Sequence, residues 1–239
     1  MECNICNGTE FVEYKTRGAI RCKNCGSIER NRLVALYLEK FVELRPGLKF
    51  LHFAPERTLF PRIAEILGPS YHVRDIDVKR YKGLKKGGIS VEEFDLCSDC
   101  EALPGDYYDL IMHNHVMEHI PCNVTAVLWH LHRALAPDGL HMFSVPVVGK
   151  AYEESFVDMD PDERTERFWQ HDHMRNFARK DLPNTIGMLF DIEDILERRL
   201  PDIFGEETLR RYNIPESRWR SFNGGCLFTL RKGDLRLKT

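Results

Sequence analysis

The chain has 239 residues, 43% hydrophobic and 30% charged, an ordinary globular composition that excludes disorder, collagen and coiled coil. A formal net charge of −3 argues against a general polyanion binder while leaving room for a local basic patch. No apolar run approaches the ~20 residues of a membrane span. The opening residues also lack the basic-then-apolar layout of a signal peptide, so the reading is a cytoplasmic chain with no membrane partner.

In chain order, the first feature is a pair of cysteine knuckles, Cys3-x2-Cys6 and Cys22-x2-Cys25, separated by fifteen residues. Four thiolates at this spacing suit a tetrahedral Zn2+, and four thiolates leave no open position, so the metal would be structural. Phe11–Tyr14 and Ala19–Arg21 read as the two strands between the knuckles. Lys15, Arg17, Arg21, Lys23, Arg30 and Arg32 make this end locally basic, but Glu2, Glu10, Glu13 and Glu29 offset them. A solvated charged face is therefore favoured over RNA contact. Ser27 reads as the N-cap of an amphipathic helix over Ile28–Leu44, stopped by Pro46-Gly47. With no flexible linker, ribbon and helix are expected to be clamped to the body, where they could cover its site. The ribbon is expected over 1–26, the connecting helix over 27–47 and the main domain over 48–239.

The body alternates strand and helix. Strands are expected at Leu48–Ala54, Tyr71–Asp75, Ile89–Phe94, Tyr107–His113 and Leu140–Val145, with helices at Thr58–Leu67 and Pro121–Leu135. Such alternation implies right-handed βαβ units and a mostly parallel α/β sheet covered on both faces. An acidic, aromatic, His-rich insertion over 147–180 breaks the rhythm. A helix over Asp181–Leu189, a strand over Phe190–Leu196 and a last strand over Gly225–Arg231 close the domain. The four remaining cysteines, Cys97, Cys100, Cys122 and Cys226, form no second knuckle pair. With a reducing compartment expected, no disulfide framework is assigned to them.

In an open parallel sheet, ligands bind beyond the carboxyl ends of the strands, near the point where strand order reverses. The residues there are Ala54-Pro55-Glu56, Asp75 with Asp77, Asp95-Leu96, and His113-Asn114-His115. A carboxylate ending the second strand suits a ribose diol, and a polar group after the third suits an adenine amino group. A nucleoside-containing cofactor is the natural candidate. The alternative is that these aspartates simply cap the helices that follow.

From residue 48 to about 231 the chain resembles the class I S-adenosylmethionine-dependent methyltransferases. The likeness rests on Tyr108-Asp109-Leu110, Val116-Met117-Glu118-His119-Ile120-Pro121 and Leu131-His132-Arg133-Ala134-Leu135-Ala136-Pro137-Asp138-Gly139. The ribbon, the Cys25–Arg32 junction and the His52–Glu56 turn are similar to a zinc-ribbon-bearing subgroup. The resemblance implies a Rossmann-like seven-stranded sheet whose last strand is antiparallel. It also implies S-adenosylmethionine held by Phe53, Ala54, Pro55 and Glu56 at the first turn, Asp75 and Ile76 at the ribose, Asp95 and Leu96 at the adenine, and Asn114 or His115 at the methionine part. The family's Gly-rich first turn is replaced here by Ala54-Pro55-Glu56, and Pro55 removes an amide donor.

The insertion supplies the catalytic candidates. A histidine suits proton acceptance at neutral pH: His173 is favoured over His171, with Asp172 to orient it and Arg175 to bind an anionic substrate group. The similar subgroup carries a comparable Asp-His-x-Arg segment. A structural His–Asp pair anchoring the insertion is the other reading. Glu118 and His119 are expected only to satisfy backbone at the start of the following helix. The acidic insertion (Glu153, Glu154, Asp158, Asp160, Asp162, Glu163) favours a small-molecule acceptor, such as a sugar hydroxyl. An RNA methyltransferase gripping RNA through the ribbon and a non-catalytic zinc-stabilised scaffold are the rivals.

Overall fold

The computed structural model describes residues 1–237. The ribbon strands β1 (Phe11–Glu13) and β2 (Ala19–Cys22) pair antiparallel where the spacing predicts them. They lead to α1 (Glu29–Phe41), shorter than the expected Ile28–Leu44. Ser27 does not cap it: Asn31 Oδ1 accepts from the Ile28 amide instead, and the buried Ser27 hydroxyl lies 3.2 Å from the sulfurs of Cys3 and Cys25. Leu33 through Leu38 of α1 are all buried in the main core, so this helix is a wall of the body and not a lid.

The body continues with β3 (Phe50–Phe53), α2 (Phe60–Leu67) and β4 (Tyr71–Asp75). All four residues of β3 are buried, as a central parallel strand with both faces covered requires. The third expected strand breaks in two. Lys85–Lys86 (β5) and Ile89–Ser90 (β6) form a small separate hairpin, and only Glu92–Glu93 (β7) joins the main sheet, beside β4. Then come β8 (Tyr108–Asn114), α3 (Val124–Arg133) and β9 (Leu135–Ser144). The expected start of α3 at Pro121 moves to Val124 because Asn123 Oδ1 accepts from the Ala126 amide and fixes the cap there.

The insertion holds β10 (Glu153–Glu154), α4 (Pro161–Phe168) and β11 (Arg175–Asn176), with β10 and β11 paired antiparallel. A 3-10 turn at Arg179–Asn184 and α5 (Ile186–Leu189) stand in place of the single helix over Asp181–Leu189. Short helices α6 (Glu193–Glu197), α7 (Leu200–Phe204) and α8 (Glu206–Arg211) precede β12 (Phe228–Arg231).

The main sheet runs β12-β9-β8-β3-β4-β7, parallel except for β12, which pairs antiparallel with β9. The antiparallel last strand matches expectation. The count is six among the described residues, not seven, because the segment expected as a strand over Phe190–Leu196 is helical at α6. Its buried residues Phe190, Ile192, Ile195 and Leu196 do not alternate, and Glu193 and Asp194 occupy the first turn, where a helix favours acidic side chains. No helix among the described residues is long and apolar enough to cross a membrane.

The ribbon is held to the body by one buried cation. The Arg32 guanidinium is fully buried and donates to the carbonyls of Ser27, Ile20, Tyr212 and Asn213 at 2.8–3.0 Å. The sequence places Arg32 on a solvated face; the structure places it between ribbon, α1 and the loop after α8. The arginines near the C-terminus are likewise paired, Arg211 with Glu2, Arg218 with Glu29 and Arg210 with Glu206 and Glu216.

Candidate active site

Strand order reverses between β3 and β8, since the chain steps from β3 outward through β4 and β7 and then returns to β8, β9 and β12. The carboxyl ends of β3 and β8 therefore flank the crevice where such a sheet binds ligands. Ala54, at the end of β3, has φ +48, a left-handed conformation usually left to glycine. Glu56 follows, its side chain only 10% exposed. Its Oε2 lies 3.0 Å from His52 Nε2, and its Oε1 accepts from Asn114 Nδ2 at 2.8 Å. Behind these, Tyr71 bonds His52 Nδ1 at 2.7 Å and Ser144 donates to Asn114 Oδ1. Burial pushes the Glu56 carboxyl up, but the bonds from His52 and Asn114 outweigh it and hold the group below its ordinary value. Glu56 and Asn114 thus form one brace across the switch point.

At the end of β4, Asp75 Oδ1 accepts from the Asp77 amide and Oδ2 from the Tyr81 hydroxyl. The adjacent Ile76 is 63% exposed, an apolar side chain at the rim. After β7, Asp95 Oδ1 accepts from the Cys97 amide. Phe53, Pro55 and Leu96 are buried, so only their backbones reach the edge.

After β8, His115 has φ +54 and its Nδ1 stands 3.3 Å from Glu118 Oε1. The insertion folds over this point: Met174 donates its amide to the Glu118 carbonyl at 2.7 Å, and Arg175 bonds the carbonyls of Met117 and Cys122. The ligating atoms of Glu118, His119 and His173 lie within 4.8 Å of one another. Asp172 does not orient His173. Its Oδ2 sits 3.2 Å from His119 Nδ1, while His173 Nδ1 bonds the Phe168 carbonyl at 2.9 Å. Burial lowers His173 below its usual value, with the Glu118 charge opposing. His171 is exposed. Arg175 is fully buried against Glu154 and backbone, which leaves it no freedom to bind a substrate anion. Glu118 and His119, assigned from sequence only to a helix start, instead belong to this cluster. The signal was available in their place just after a strand end, but their partner His173 is distant in sequence.

The methyltransferase domain family model matches residues 28–195. The chain belongs to that family. Its fold is that of the class I S-adenosylmethionine-dependent methyltransferases. An S-adenosylmethionine-dependent methyltransferase from Mesorhizobium loti is 17% identical, with TM-score 0.53, over 82% of this chain and 95% of that one. A methyltransferase from Archaeoglobus fulgidus is 16% identical, covering 84% and 90%, with TM-score 0.46. Phosphoethanolamine N-methyltransferase 2 of Haemonchus contortus is 15% identical with TM-score 0.46; it aligns with 66% of this chain, which spans only 36% of that enzyme's length. No curated protein matches the chain significantly.

The edge of this methyltransferase fits the cofactor of its class in chemistry. Each Asp75 oxygen keeps a lone pair beyond its existing bond and can accept from a ribose hydroxyl, and Ile76 offers an apolar surface to a base. The four ribbon cysteines also converge, with Cys3 and Cys25 sulfurs 3.7 Å apart and Cys6 and Cys22 sulfurs 3.6 Å apart. A side chain at Gly8 would press within 3.1 Å of Asn24 Cβ and within 3.2 and 3.3 Å of the Cys22 and Cys6 sulfurs, so a larger residue there would crowd the cluster. Burial raises the Cys25 thiol to about 12, whereas hydrogen bonds from the Gly8 backbone and Asn24 bring Cys6 to about 7 against its own desolvation. The methyltransferase departs from the expected absence of disulfides at one place. Cys97 and Cys122, in the loops after β7 and β8, two strands that β3 and β4 separate in the sheet, have Cα atoms 5.8 Å apart and are joined. Cys100 and Cys226 are buried and free, so the two pairs make no second metal site.

Proposed function

We propose that this methyltransferase moves a methyl group from S-adenosylmethionine to a hydroxyl of a small-molecule acceptor, such as a sugar. The observation that carries this is the juxtaposition, at the carboxyl ends of β3 and β8, of the Glu56–Asn114 brace with the Glu118–His119–His173 cluster. The bound cofactor would supply an electrophilic methyl on a sulfonium; the protein's part is alignment, exclusion of water and removal of the acceptor proton. Asp75 accepts from the ribose hydroxyls, Asp95 from the adenine amino group, and Ala54, Glu56, Asn114 and His115 shape the wall beside the methionine part. His173, neutral and buried, faces the site with His119, which Asp172 holds, and these two histidines are the groups placed to receive the proton.

The acidic insertion supports a small acceptor over RNA. Three of the six basic residues at this end are not free for RNA, since Arg32 is buried and Arg17 and Lys23 are paired with Glu29 and Glu10, while Lys15, Arg21 and Arg30 are exposed. The ribbon's role is then structural: Cys3, Cys6, Cys22 and Cys25 bind one Zn2+, consistent with the convergence of the four sulfurs. The domain limits 1–26, 27–47 and 48–239 remain our reading of how these parts divide.

Calorimetry with S-adenosylhomocysteine tests the cofactor reading, and its failure with zinc-loaded protein would leave only a scaffold. A labelled-methyl screen against extract metabolites and RNA in parallel tests the acceptor. Label in a small molecule is the expected outcome; label in RNA alone would overturn the acceptor assignment.

A further inference from the structure

We infer that Glu118, His119 and His173 form a second metal centre, a site for one divalent transition-metal ion with a coordination position left open for an oxygen ligand. Five features converge on it. The three ligating atoms already lie within 4.8 Å of one another, with Glu118 Oε1 4.0 Å from His119 Nε2. The Glu118 side chain is 1% exposed, and its Oε2 is buried without any hydrogen-bond partner among the described residues. A buried carboxylate oxygen without a donor is costly. His115 Nδ1 reaches only the other oxygen. A cation between the carboxylate and the two rings removes that cost.

Both rings are turned for ligation. His119 Nδ1 is engaged by Asp172, and His173 Nδ1 donates to the Phe168 carbonyl. Each bond fixes the tautomer that leaves Nε2 as a free lone pair, which is the second-shell pattern of metal-binding histidines. The backbone that carries the ligands is also fixed: Arg164 donates to the His173 carbonyl at 3.1 Å, and the Met174 amide ties the insertion to the Glu118 carbonyl. Finally, the His119 side chain is 33% exposed, so one side faces solvent. Two imidazoles and one carboxylate suit a first-row divalent ion such as Zn2+, and three protein ligands leave a position for water or an acceptor hydroxyl.

That last role rests on the proposed methyl transfer, whereas the metal site itself does not. A metal-bound hydroxyl loses its proton more readily than a free one. The ion would thus anchor the acceptor oxygen a few residues beyond Asn114, and the proton would pass to solvent at the exposed side. In this form His119 and His173 act as ligands, and proton acceptance by the free rings describes the metal-free protein.

The test is a Co2+ titration of chelator-treated, full-length protein. Two equivalents are expected: one with thiolate-to-cobalt charge-transfer absorption from the four cysteines, and one with ligand-field bands alone. Glu118→Gln, His119→Ala and His173→Ala should each weaken the second equivalent by about 100-fold or more while the thiolate band persists, which also reports that the variants fold. Cys22→Ser should do the reverse. A single equivalent in the wild type, or a second one that none of the three variants moves, would overturn the site. If S-adenosylhomocysteine fails to bind while the second equivalent remains, the methyl-transfer reading falls and the metal site stands. Methyl transfer at full rate with the second site empty would overturn the ion's role in the reaction.

Discussion

Asp172 Oδ2 stands 3.2 Å from His119 Nδ1, so the carboxylate adjacent to His173 in sequence serves a histidine from a different segment of the chain. The hydrogen bond from Gln170 and the charge of His119 hold the Asp172 carboxyl below its ordinary value, against a desolvation that raises it. Asp172 is therefore a positioning residue. Asp172→Asn keeps an acceptor oxygen but removes the charge that fixes the ring. Turnover is expected to fall about 10- to 100-fold with S-adenosylhomocysteine affinity unchanged, read by steady-state rates and calorimetry. Unchanged turnover would refute the role.

Glu56 spans the switch point, with one oxygen on His52 and the other on Asn114. In Glu56→Gln the charge is lost, and the amide nitrogen faces either Asn114 Nδ2, a donor–donor contact, or His52 Nε2, where the ring must switch tautomer and Tyr71 must become the acceptor. Losing a hydrogen bond to a charged group costs about 1.5–3 kcal/mol. Chemical denaturation should show a loss of that size, and cofactor affinity should fall with it because the Ala54–Glu56 turn is no longer tied to β8. Full stability with weakened cofactor binding would instead mean that Glu56 contacts the cofactor directly.

Asp75 is expected to accept from both ribose hydroxyls. Asp75→Ala should weaken S-adenosylhomocysteine binding about 10- to 100-fold, the equivalent of about 1.5–3 kcal/mol for a charge-assisted bond. A 2′-deoxy analogue provides the second leg of a double-mutant cycle. It should bind more weakly than the natural ligand in the wild type but show a much smaller penalty in the variant. Additive losses would move the ribose elsewhere.

The strands nearest the site were the most legible part of the sequence. Tyr71–Asp75 is observed at its expected limits, and β3 and β8 differ by a residue or two, because each is a short segment rich in apolar and aromatic residues, with a turn or a polar residue at its carboxyl end. The edge residues Ala54, Asp75, Asp95 and Asn114 followed from those strands by the switch-point rule. The Asp172–His173 pairing failed for a different reason. Adjacency along the chain says nothing about which ring a short side chain faces once Phe168 O captures His173 Nδ1. Arg32 reads as solvated because it sits in a run of mixed charges, and its four carbonyl partners from three segments come together only in the folded chain. Phe190–Leu196 reads as a strand by its apolar content, but the acidic pair Glu193-Asp194 starts a helix there.

Arg32 and the ribbon cysteines separate two contributions to one docking. Arg32→Met leaves four carbonyls without their donor and should cost about 3 kcal/mol or more, a fall in Tm of roughly 6–12 °C for a chain of this size. Its zinc content, measured by elemental analysis, should stay at the wild-type level. Cys22→Ser should lose zinc and stability together. Zinc loss in Arg32→Met would mean that the ribbon does not hold its metal independently of the body.

His113 and His141 lie on neighbouring strands β8 and β9, both fully buried, with their Nε2 atoms 2.9 Å apart. One ring donates and the other accepts, so the pair is stable only when at least one is neutral. Burial lowers His113 to about 3, helped by His52, and lowers His141 well below its ordinary value. In the unfolded chain both titrate near ~6.5. Above that pH neither state binds the protons and the pair's contribution is complete. As pH falls from about 6.5 towards 3, protons enter only the unfolded chain, and each histidine removes about 1.4 kcal/mol of stability per pH unit. Replacing both partners with apolar groups avoids stranding either one, so His113→Leu/His141→Leu should show a shallower loss of stability between pH 6.5 and 4 than the wild type. Thermal or denaturant unfolding across that range decides the point; parallel curves for the two proteins would show that the pair does not set the acid limit.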